Sequence, residues 1–336
     1  MSKKTAADYP VGQDDIDYAV KKILTKHKKF AQSEERPFLD YVVGQPASGK
    51  STAIRSVRDL RDISPLVIDS DVIRGYHPAF AKILADDPVR MDVLSNGIVG
   101  PVVGSLLDTA KDNQWGVVIE NTLTNQQVVK DTVSRFQQAG YQVHCHVVAT
   151  PARVSRLGII DRYHSMKQVP HAVPRWTSLG AHDHAFDSIP DNLRHLQGVF
   201  DHIRVLNRDG EVFYHGNDCA QAAVVTEQAR RRWTHRDQQL YVQGCERVAG
   251  ISTDTDLMAN PDAVDLLRRV VMDARRLGIE PGFADVVRDL RVPKGTDQLF
   301  SGRKASSETV VPMENRWEEE EMVWENDQGR NNPRSL

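Results

Sequence analysis

The sequence predicts an α/β fold built on a doubly wound, mostly parallel β-sheet. Short apolar runs alternate with segments whose apolar residues recur at helical spacing, and the connections between them are short. The apolar runs are residues 39–43, 66–68, 116–119, 142–149 and 203–206. In such a sheet, ligands bind beyond the carboxyl ends of the strands. The residues that directly follow these runs are therefore the first candidates for a functional site.

Helices are expected before and between these strands. The predicted helices of the first half of the chain are residues 14–30, 51–60, 88–111, 125–138 and 151–163. The third should bend or break near Gly97, because glycine weakens a helix interior. Residues 207–210 predict a turn into a hairpin with residues 212–214, which adds an antiparallel edge to the sheet.

The chain changes character after residue 216. Four further helices are predicted, at residues 220–232, 236–249, 262–277 and 282–290. Residues from 294 onward are rich in Gly, Ser, Glu and Asn, a composition typical of disorder. We therefore divide the chain into an N-terminal helical extension (1–37), an α/β domain (38–216), an appended helical extension (217–293) and a disordered acidic tail (294–336).

Bulk composition narrows the class of protein. The 336 residues carry a net charge of −3, which gives no general attraction to nucleic acid or to an anionic membrane. Three cysteines without C-x-x-C spacing argue against both disulfides and a zinc site. The N-terminus is polar, and no run approaches the ~18 apolar residues of a membrane span. A soluble, cytoplasmic enzyme is the expectation.

The strongest motif follows the first predicted strand and precedes a helix. Residues 44–51 read G-x-x-x-x-G-K-S, a phosphate-binding loop in its proper context. The glycines let successive backbone N–H groups face one anion, Lys50 can reach the β- and γ-phosphates, and the Ser51 hydroxyl can bind Mg²⁺. The predicted nucleotide-binding residues are Gly44, Gln45, Pro46, Ala47, Ser48, Gly49, Lys50, Ser51 and Thr52.

Carboxylates follow two other strands. Asp69 and Asp71 come after residues 66–68, a strand that we expect beside the loop strand. Asp71 could be the base of a phosphoryl transfer or a Mg²⁺ partner, or it could simply cap the helical turn that follows. Glu120, with Thr122 nearby, could bind sugar or nucleoside hydroxyls, or only solvate a strand end.

Four arginines, Arg153, Arg156, Arg162 and Arg175, cluster after the fourth strand. A helix and loop bearing arginines can cover a γ-phosphate, because a guanidinium bridges two phosphate oxygens. For each arginine, the ordinary alternative is a solvated surface charge.

The sequence around His182 suggests capping at the start of a helix over 187–197. We reject a metal site there, because two histidines two residues apart do not share a helix face.

Taken together, these segments resemble the zeta toxin family, the kinase half of epsilon/zeta toxin–antitoxin systems, over residues 38–216. The resembling segments are VGQPASGKS (43–51), VIDSD (67–71), HPAF (77–80), VIENT (118–122), GY (140–141), IDRY (160–163), Arg175, AHD (181–183), IPDNL (189–193) and NRDG (207–210). Their order matches that of the family, which a generic phosphate-binding loop alone would not do.

The resemblance implies a fold of P-loop kinase type and an ATP- or GTP-dependent, Mg²⁺-requiring kinase. It implies phosphorylation of the sugar 3′-hydroxyl of UDP-N-acetylglucosamine, which blocks cell-wall precursor synthesis, and a small helical antitoxin as partner. Lys50 and Ser51 would hold the phosphates and Mg²⁺, and Asp71 would be the general base. Glu120 and Thr122 would bind the UDP-sugar, and Arg162 and Arg175 would stabilise the transferring phosphoryl group.

The acceptor side departs from the family pattern. Leu123 and Thr124 stand where the family often has a glycine and then an arginine, and Gly104 falls near an acidic contact of the family. Another nucleotide-linked acceptor such as NAD, or a non-catalytic nucleotide-gated regulatory module, is the alternative. The helical extension is expected either to inhibit the nucleotide site in cis or to pack on the sheet as a structural element.

Overall fold

The computed structural model describes residues 4–28, 32–59, 64–169 and 174–289. The predicted tail, 294–336, lies outside this part of the chain. The described residues form one six-stranded sheet with the order β2-β3-β1-β4-β5-β6. Its strands are β1 Phe38–Val43, β2 Leu66–Ile68, β3 Val117–Asn121, β4 Gln142–Val148, β5 His202–Leu206 and β6 Val212–Gly216. All neighbours are parallel except β5 and β6, which form the predicted hairpin. The α/β prediction is confirmed.

One expectation about strand order is wrong. The strand before Asp69 does not lie beside the loop strand, because β3 lies between β2 and β1 and pairs with both. Val117 is the register partner of Leu39 on one side and of Leu66 on the other. A three-residue apolar run carries no signal for its neighbour, which is decided by where the crossover helices pack.

The helices of the described chain follow the order of the predicted ones but outnumber them, because short helices at Ser70–Arg74, Phe80–Asp86 and Thr255–Met258 were not among the predicted ones. They are α1 Gln13–His27, α2 Lys50–Asp59, α3 Ser70–Arg74, α4 Phe80–Asp86, α5 Met91–Leu94, α6 Val99–Asp112, α7 Gln126–Gln138, α8 Ala152–Lys167, α9 Leu179–Arg194, α10 Cys219–Arg231, α11 His235–Arg247, α12 Thr255–Met258, α13 Pro261–Arg275 and α14 Ala284–Asp289. The expected break near Gly97 is a 3₁₀ turn, Asn96–Ile98, between α5 and α6.

The α9 helix begins earlier than the sequence indicated. The predicted start at residue 187 is wrong, because α9 begins at Leu179 after Ser178, whose hydroxyl accepts a hydrogen bond from the Ala181 N–H at 3.2 Å. The His182–His184 stretch therefore lies inside the helix and does not cap it. Pro190 also lies inside α9, where a sequence reading expects a boundary.

Two apolar cores position the functional elements. One lies against the sheet, where Leu39, Tyr41 and Val43 pack with α1, α6 and α7. The other contains the buried side of α8 together with residues of α11, α13 and α14. Of the helices after residue 216, α10 lies against β5 and β6, whereas α11 and α13 lie against α8. Most of the helical extension thus packs on a helix, and not on the sheet as expected.

One described segment is long and apolar enough to cross a membrane by length and composition alone. It is Pro88–Asp112, with a mean hydropathy of 1.2 over its best window. In the structure it is broken by the turn at Asn96–Ile98, and Met91, Leu94 and Val102 are fully buried in the protein. We therefore interpret it as a core segment.

Candidate active site

The phosphate-binding loop joins β1 to α2, which begins at Lys50. Gly49 has a φ of +100°, and a Cβ there would lie 2.9 Å from the Cβ of Arg208, so the position requires glycine. Ala47 also has a left-handed φ, of 57°, although it is not a glycine. Lys50 Nζ donates to the carbonyl oxygens of Gly44 at 2.9 Å and Gln45 at 3.2 Å. The ammonium is thus held inside the curl of the loop.

A cavity of about 310 Å³ opens above this loop. Its walls combine the loop with strand-end residues, α8 and the turn after β5. The lining residues are Pro46, Ala47, Ser48, Gly49, Lys50, Ser51, Asp71, Glu120, Gly158, Asp161, Arg162, Ser165, Arg175, Thr177 and Arg208. The structure thus brings together most of the residues that the sequence indicated: the phosphate-binding loop, the carboxylates Asp71 and Glu120, and the arginines Arg162 and Arg175.

Asp71 faces the cavity because another residue caps its helix. The N-cap of α3 is Asp69, whose Oδ1 accepts a hydrogen bond from the Asp71 N–H at 2.7 Å. The alternative that Asp71 is the cap is therefore wrong. The Asp71 carboxylate instead forms an ion pair with the guanidinium of Arg175, and their side chains are only 14% and 9% exposed.

The remaining charges of the cavity are mixed in sign. Glu120 Oε1 lies 3.2 Å from Lys50 Nζ. Arg162 Nη2 donates to Thr177 Oγ1 at 3.4 Å, which orients it along the wall. Counting Arg208 and Asp161, four cationic side chains and three carboxylates line the cavity. Such a surface suits a polyanion whose charge is partly carried by a divalent cation.

Some indicated residues lie elsewhere. Thr122 does not line the cavity; its hydroxyl lies 3.3 Å from that of Thr124. Arg153 stacks over Trp233 at 4.5 Å from the ring centroid. Arg156 is 7% exposed and pairs with Asp183 at 2.8 Å and Asp273 at 2.9 Å. A role of Arg153 and Arg156 over the γ-phosphate is therefore wrong.

The position of these arginines follows from helix geometry. Arg156 and Arg162 are six positions apart, which at about 100° a residue places them on different faces of α8. The sequence analysis also missed five lining residues, Gly158, Asp161, Ser165, Thr177 and Arg208. Asp161 and Ser165 could have been found from the same helical periodicity, since residues 158, 161, 162 and 165 have the i, i+3, i+4, i+7 spacing of one helix stripe. Arg208 was interpreted only as part of a turn. That turn follows the carboxyl end of β5, which pairs in parallel with β4, so it lies at the same edge of the sheet as the site.

A buried polar network supports the loop from behind. Gln45 Nε2 donates to the Thr150 carbonyl at 2.8 Å and to Ser155 Oγ at 3.1 Å. Gln45 Oε1 accepts from Arg230 Nη2 of α10 at 3.1 Å. Arg230 is 6% exposed, and burial lowers its pKa to about 10. His182 extends the network, with its ring nitrogens 2.7 Å from Ser155 Oγ and 2.8 Å from Asp183 Oδ1.

A parallel sheet with a phosphate-binding loop at its switch point, and carboxylates and arginines around one cavity, defines a protein of P-loop kinase fold. More particularly, the chain belongs to the zeta toxin family, because the model of that family, described as Zeta toxin, matches residues 21–219.

Individual relatives agree with this assignment. The chain is 32% identical over 197 residues to Toxin zeta of Enterococcus hirae, which covers 57% of this chain and 66% of that protein. It is 25% identical over 229 residues to Toxin PezT of Streptococcus pneumoniae serotype 4 (strain ATCC BAA-334 / TIGR4), covering 67% of this chain and 89% of that protein. The chain thus spans just under two thirds of the length of the Enterococcus hirae relative.

The fold is also similar to a solved structure from the study of the PezAT chromosomal toxin–antitoxin system of Streptococcus pneumoniae. The TM-score is 0.63 at 22% identity, and the match covers 73% of this chain and 99% of that chain. A match of this length exceeds residues 1–219 and therefore reaches into the helices that follow them. The predicted fold of P-loop kinase type with appended C-terminal helices is confirmed.

Proposed function

We propose that this protein is an ATP- or GTP-dependent kinase that phosphorylates a sugar hydroxyl of UDP-N-acetylglucosamine or a related UDP-sugar, and that it thereby arrests growth by blocking cell-wall precursor synthesis. The observation that carries the proposal is the convergence of Lys50, Asp71, Arg162 and Arg175 on one cavity above the phosphate-binding loop. A non-catalytic nucleotide switch would need the loop but has no use for this carboxylate and these arginines.

The donor nucleotide would place its β- and γ-phosphates against the loop. Backbone N–H groups at the start of α2 and the Lys50 ammonium supply positive charge there. The cavity also offers the oxygen ligands that Mg²⁺ prefers, namely the Ser51 hydroxyl and three carboxylates. Ser51 would hold the ion, which when bound neutralises charge on the phosphates.

The transfer step uses Asp71 as general base. Its carboxylate takes the proton of the acceptor hydroxyl, the hydroxyl oxygen forms a bond to the γ-phosphorus, and the bond from that phosphorus to the β-phosphate oxygen breaks to release the nucleoside diphosphate. Arg175 holds Asp71 at the cavity wall, and its guanidinium together with that of Arg162 faces the space where negative charge develops.

The acceptor side is proposed from Glu120 and Thr122. Glu120 lines the cavity beside Lys50, where it can accept a hydrogen bond from a sugar hydroxyl. Thr122 is proposed as a second substrate contact on the resemblance alone, because it is 7% exposed and does not line the cavity. We also propose a small helical antitoxin as partner, because a similar structure comes from a toxin–antitoxin system.

The test is incubation of the purified chain with Mg²⁺ and ATP or GTP and a panel of UDP-sugars, NAD and nucleosides, read by mass spectrometry for one added phosphate. We expect a UDP-sugar to gain the phosphate. Lys50→Ala should abolish transfer, and Asp71→Asn should lower its rate by about 10²–10⁴ without loss of nucleotide binding. Asp191→Asn, an exposed carboxyl on α9, is the matched control.

Three results would contradict the proposal in different ways. Phosphorylation of NAD in place of any UDP-sugar would keep the kinase but change the acceptor. Nucleotide binding without transfer to any acceptor would favour the regulatory module. If Asp71→Asn transfers phosphate at a rate within about tenfold of that of the unaltered chain, Asp71 is not the general base.

A further inference from the structure

A second group of reactive side chains lies on the sheet outside the cavity lining. Asp40 is in β1, and His144 and His146 are in β4. Alternate residues of a strand face the same side, so the two histidines share a face. The parallel register pairs Asp40 with His144 and Val42 with His146, which brings Asp40 to that face as well. Val42 packs against Ala53 of α2, so this is the face that α2 covers.

The three side chains meet at short distances. Asp40 Oδ1 lies 2.6 Å from His144 Nδ1 and 3.6 Å from His146 Nε2. One ligand atom from each residue lies within 4.8 Å of the other two. Asp40 is fully buried, and His146 and His144 are 4% and 9% exposed. The group is thus an interior cluster, unlike the exposed acidic patches that occur without any ligand.

One atom of the cluster is unsatisfied. Nε2 of His146 is buried and has no hydrogen-bond partner among the described residues, since its distance to Asp40 is too long for a hydrogen bond. A buried polar atom without a partner costs about 1–3 kcal/mol. The short contact of 2.6 Å with Asp40 accounts for His144 but leaves the Nε2 atom of His146 without a partner.

We propose that Asp40, His144 and His146 form a structural binding site for a divalent transition metal ion, with Zn²⁺ as the best match. Imidazole nitrogens with one carboxylate oxygen suit Zn²⁺ and not Mg²⁺ or Ca²⁺, which prefer oxygen ligands alone. Ligand atoms about 2.0–2.1 Å from a tetrahedral ion lie roughly 3.3 Å from each other. The 3.6 Å separation already fits, and the 2.6 Å pair needs to open by well under 1 Å as the ion replaces the shared proton.

The fourth position has a neighbour at hand. His202 of β5 is exposed, and its ring centroid lies 5.6 Å from that of His144, so either water or this side chain can complete the coordination. Arg204 is the register partner of His146 and adds positive charge nearby, which weakens binding of a cation. The ion would tie β1 to β4, the two strands that carry the phosphate-binding loop and precede α8.

The test uses the full chain without a histidine tag, stripped of metal by a chelator and titrated with ZnSO₄ in a calorimeter. We expect about one Zn²⁺ per chain and a rise in melting temperature, with no such effect of MgCl₂. His146→Leu should lower the affinity by more than about 100-fold, since even loss of an outer partner of a metal ligand costs 10–100-fold. His215→Asn, an exposed histidine at the β6 edge, should bind as the unaltered chain does.

Two further measurements keep the proposal falsifiable. Co²⁺ should give the visible absorption of a tetrahedral nitrogen and oxygen site, and His146→Leu should lose it. His146→Leu removes an unsatisfied atom, so the metal-free variant should melt no lower than the metal-free parent; if it fails to fold, His146→Gln replaces it. Zn²⁺ binding unchanged by the substitution, or no binding at micromolar Zn²⁺, would overturn the proposal and leave a buried ion pair only.

Discussion

At the scale of single residues, the most consequential contact in the cavity is the ion pair between Asp71 and Arg175. It joins the proposed base to a cation that the transferring phosphoryl group also needs. A guanidinium can serve both, because its planar fork presents several donors at once, whereas an ammonium is a single point charge. The pair therefore predicts that Arg175 has two separable roles.

Arg175→Ala should lower the phosphoryl-transfer rate by about 10²–10³, the usual effect of removing one preorganised donor. Arg175→Lys should recover only a small part of the loss, because it restores charge but not the fork. Single-turnover rates with saturating nucleotide measure this directly. Arg236→Ala, an exposed arginine at the start of α11, serves as the comparison. Equal rates for the Lys variant and the parent would mean that only charge matters.

His27 provides a residue-scale prediction about stability. Burial lowers its pKa to about 4, so the unfolded chain takes up a proton at higher pH than the folded chain does. Stability is therefore complete above pH 6.5 and is lost as pH falls toward 4. His27→Phe keeps an aromatic ring against Trp115 but cannot titrate.

The difference in free energy of unfolding between His27→Phe and the parent should shift in favour of the variant by about 1 kcal/mol when the pH falls from 7.5 to 5. This value is reduced for the partial exposure of the ring. Urea unfolding at both pH values measures the difference. A difference in unfolding free energy between variant and parent that does not change with pH would show that His27 is not buried as described.

The sequence predicts individual residues of the candidate site only where those residues lie at the ends of strands. Lys50 and Asp71 come after parallel strands and Glu120 lies at the carboxyl end of a third, so chain order alone put them at one edge of the sheet. Thr122 lies off the cavity lining, because the direction of a side chain just beyond a strand is set by local turn geometry. Of the α8 arginines, Arg153 and Arg156 lie away from the cavity and only Arg162 faces it, because a cluster in sequence spreads around a helix.

At the scale of elements, the loop depends on helices on both sides of it. Gln45 is held by Thr150 and Ser155 on the α8 side and by Arg230 of α10. From Ser155 the network continues through His182 and Asp183 to Arg156, which pairs with Asp273 of α13. Gln45, the second residue of the loop, is thus held directly by α10 and, through this network, by α13.

We expect Arg230→Met to weaken nucleotide binding about tenfold or more while the chain stays folded, because the methionine fills the site beside Phe186 but leaves Gln45 Oε1 without its donor. Calorimetric titration with a non-hydrolysable nucleotide gives the dissociation constant, and a thermal melt checks folding. Arg231→Ala, the exposed neighbour, should leave both values unchanged. Unaltered nucleotide affinity in Arg230→Met would mean that the network is structural only.

At the scale of the whole molecule, alternation of strands and helices was enough to predict the sheet, whereas its order was not. The short strand β2 pairs with β3 at the edge, and only the packing of the crossover helices decides that. The sequence also does not predict where the helical extension packs, since the apolar faces of α11 and α13 do not indicate which surface they contact. Leu157 and Tyr163 on α8 are their counterpart.

The same shared core favours the structural interpretation of the helices after residue 216 over the inhibitory one. A cis-acting inhibitor would cover the cavity, but the described lining residues end at Arg208. A structural element would be needed for folding, and Leu157, Ile160 and Tyr163 of α8 are almost fully buried in a core that α11, α13 and α14 complete. Full burial of each such side chain is worth about 1.5–3 kcal/mol, and a domain has only about 5–15 kcal/mol of stability in all.

A chain that ends at residue 216 should therefore melt at a much lower temperature than the full chain or fail to fold, and it should not gain activity. A chain that ends at residue 289 keeps every described helix and should melt as the full chain does. Circular dichroism melts and the phosphoryl-transfer assay compare the three. A folded 216-residue chain that transfers phosphate faster than the full chain would instead establish inhibition in cis, because then the helices would restrain a site that α8 can form without them.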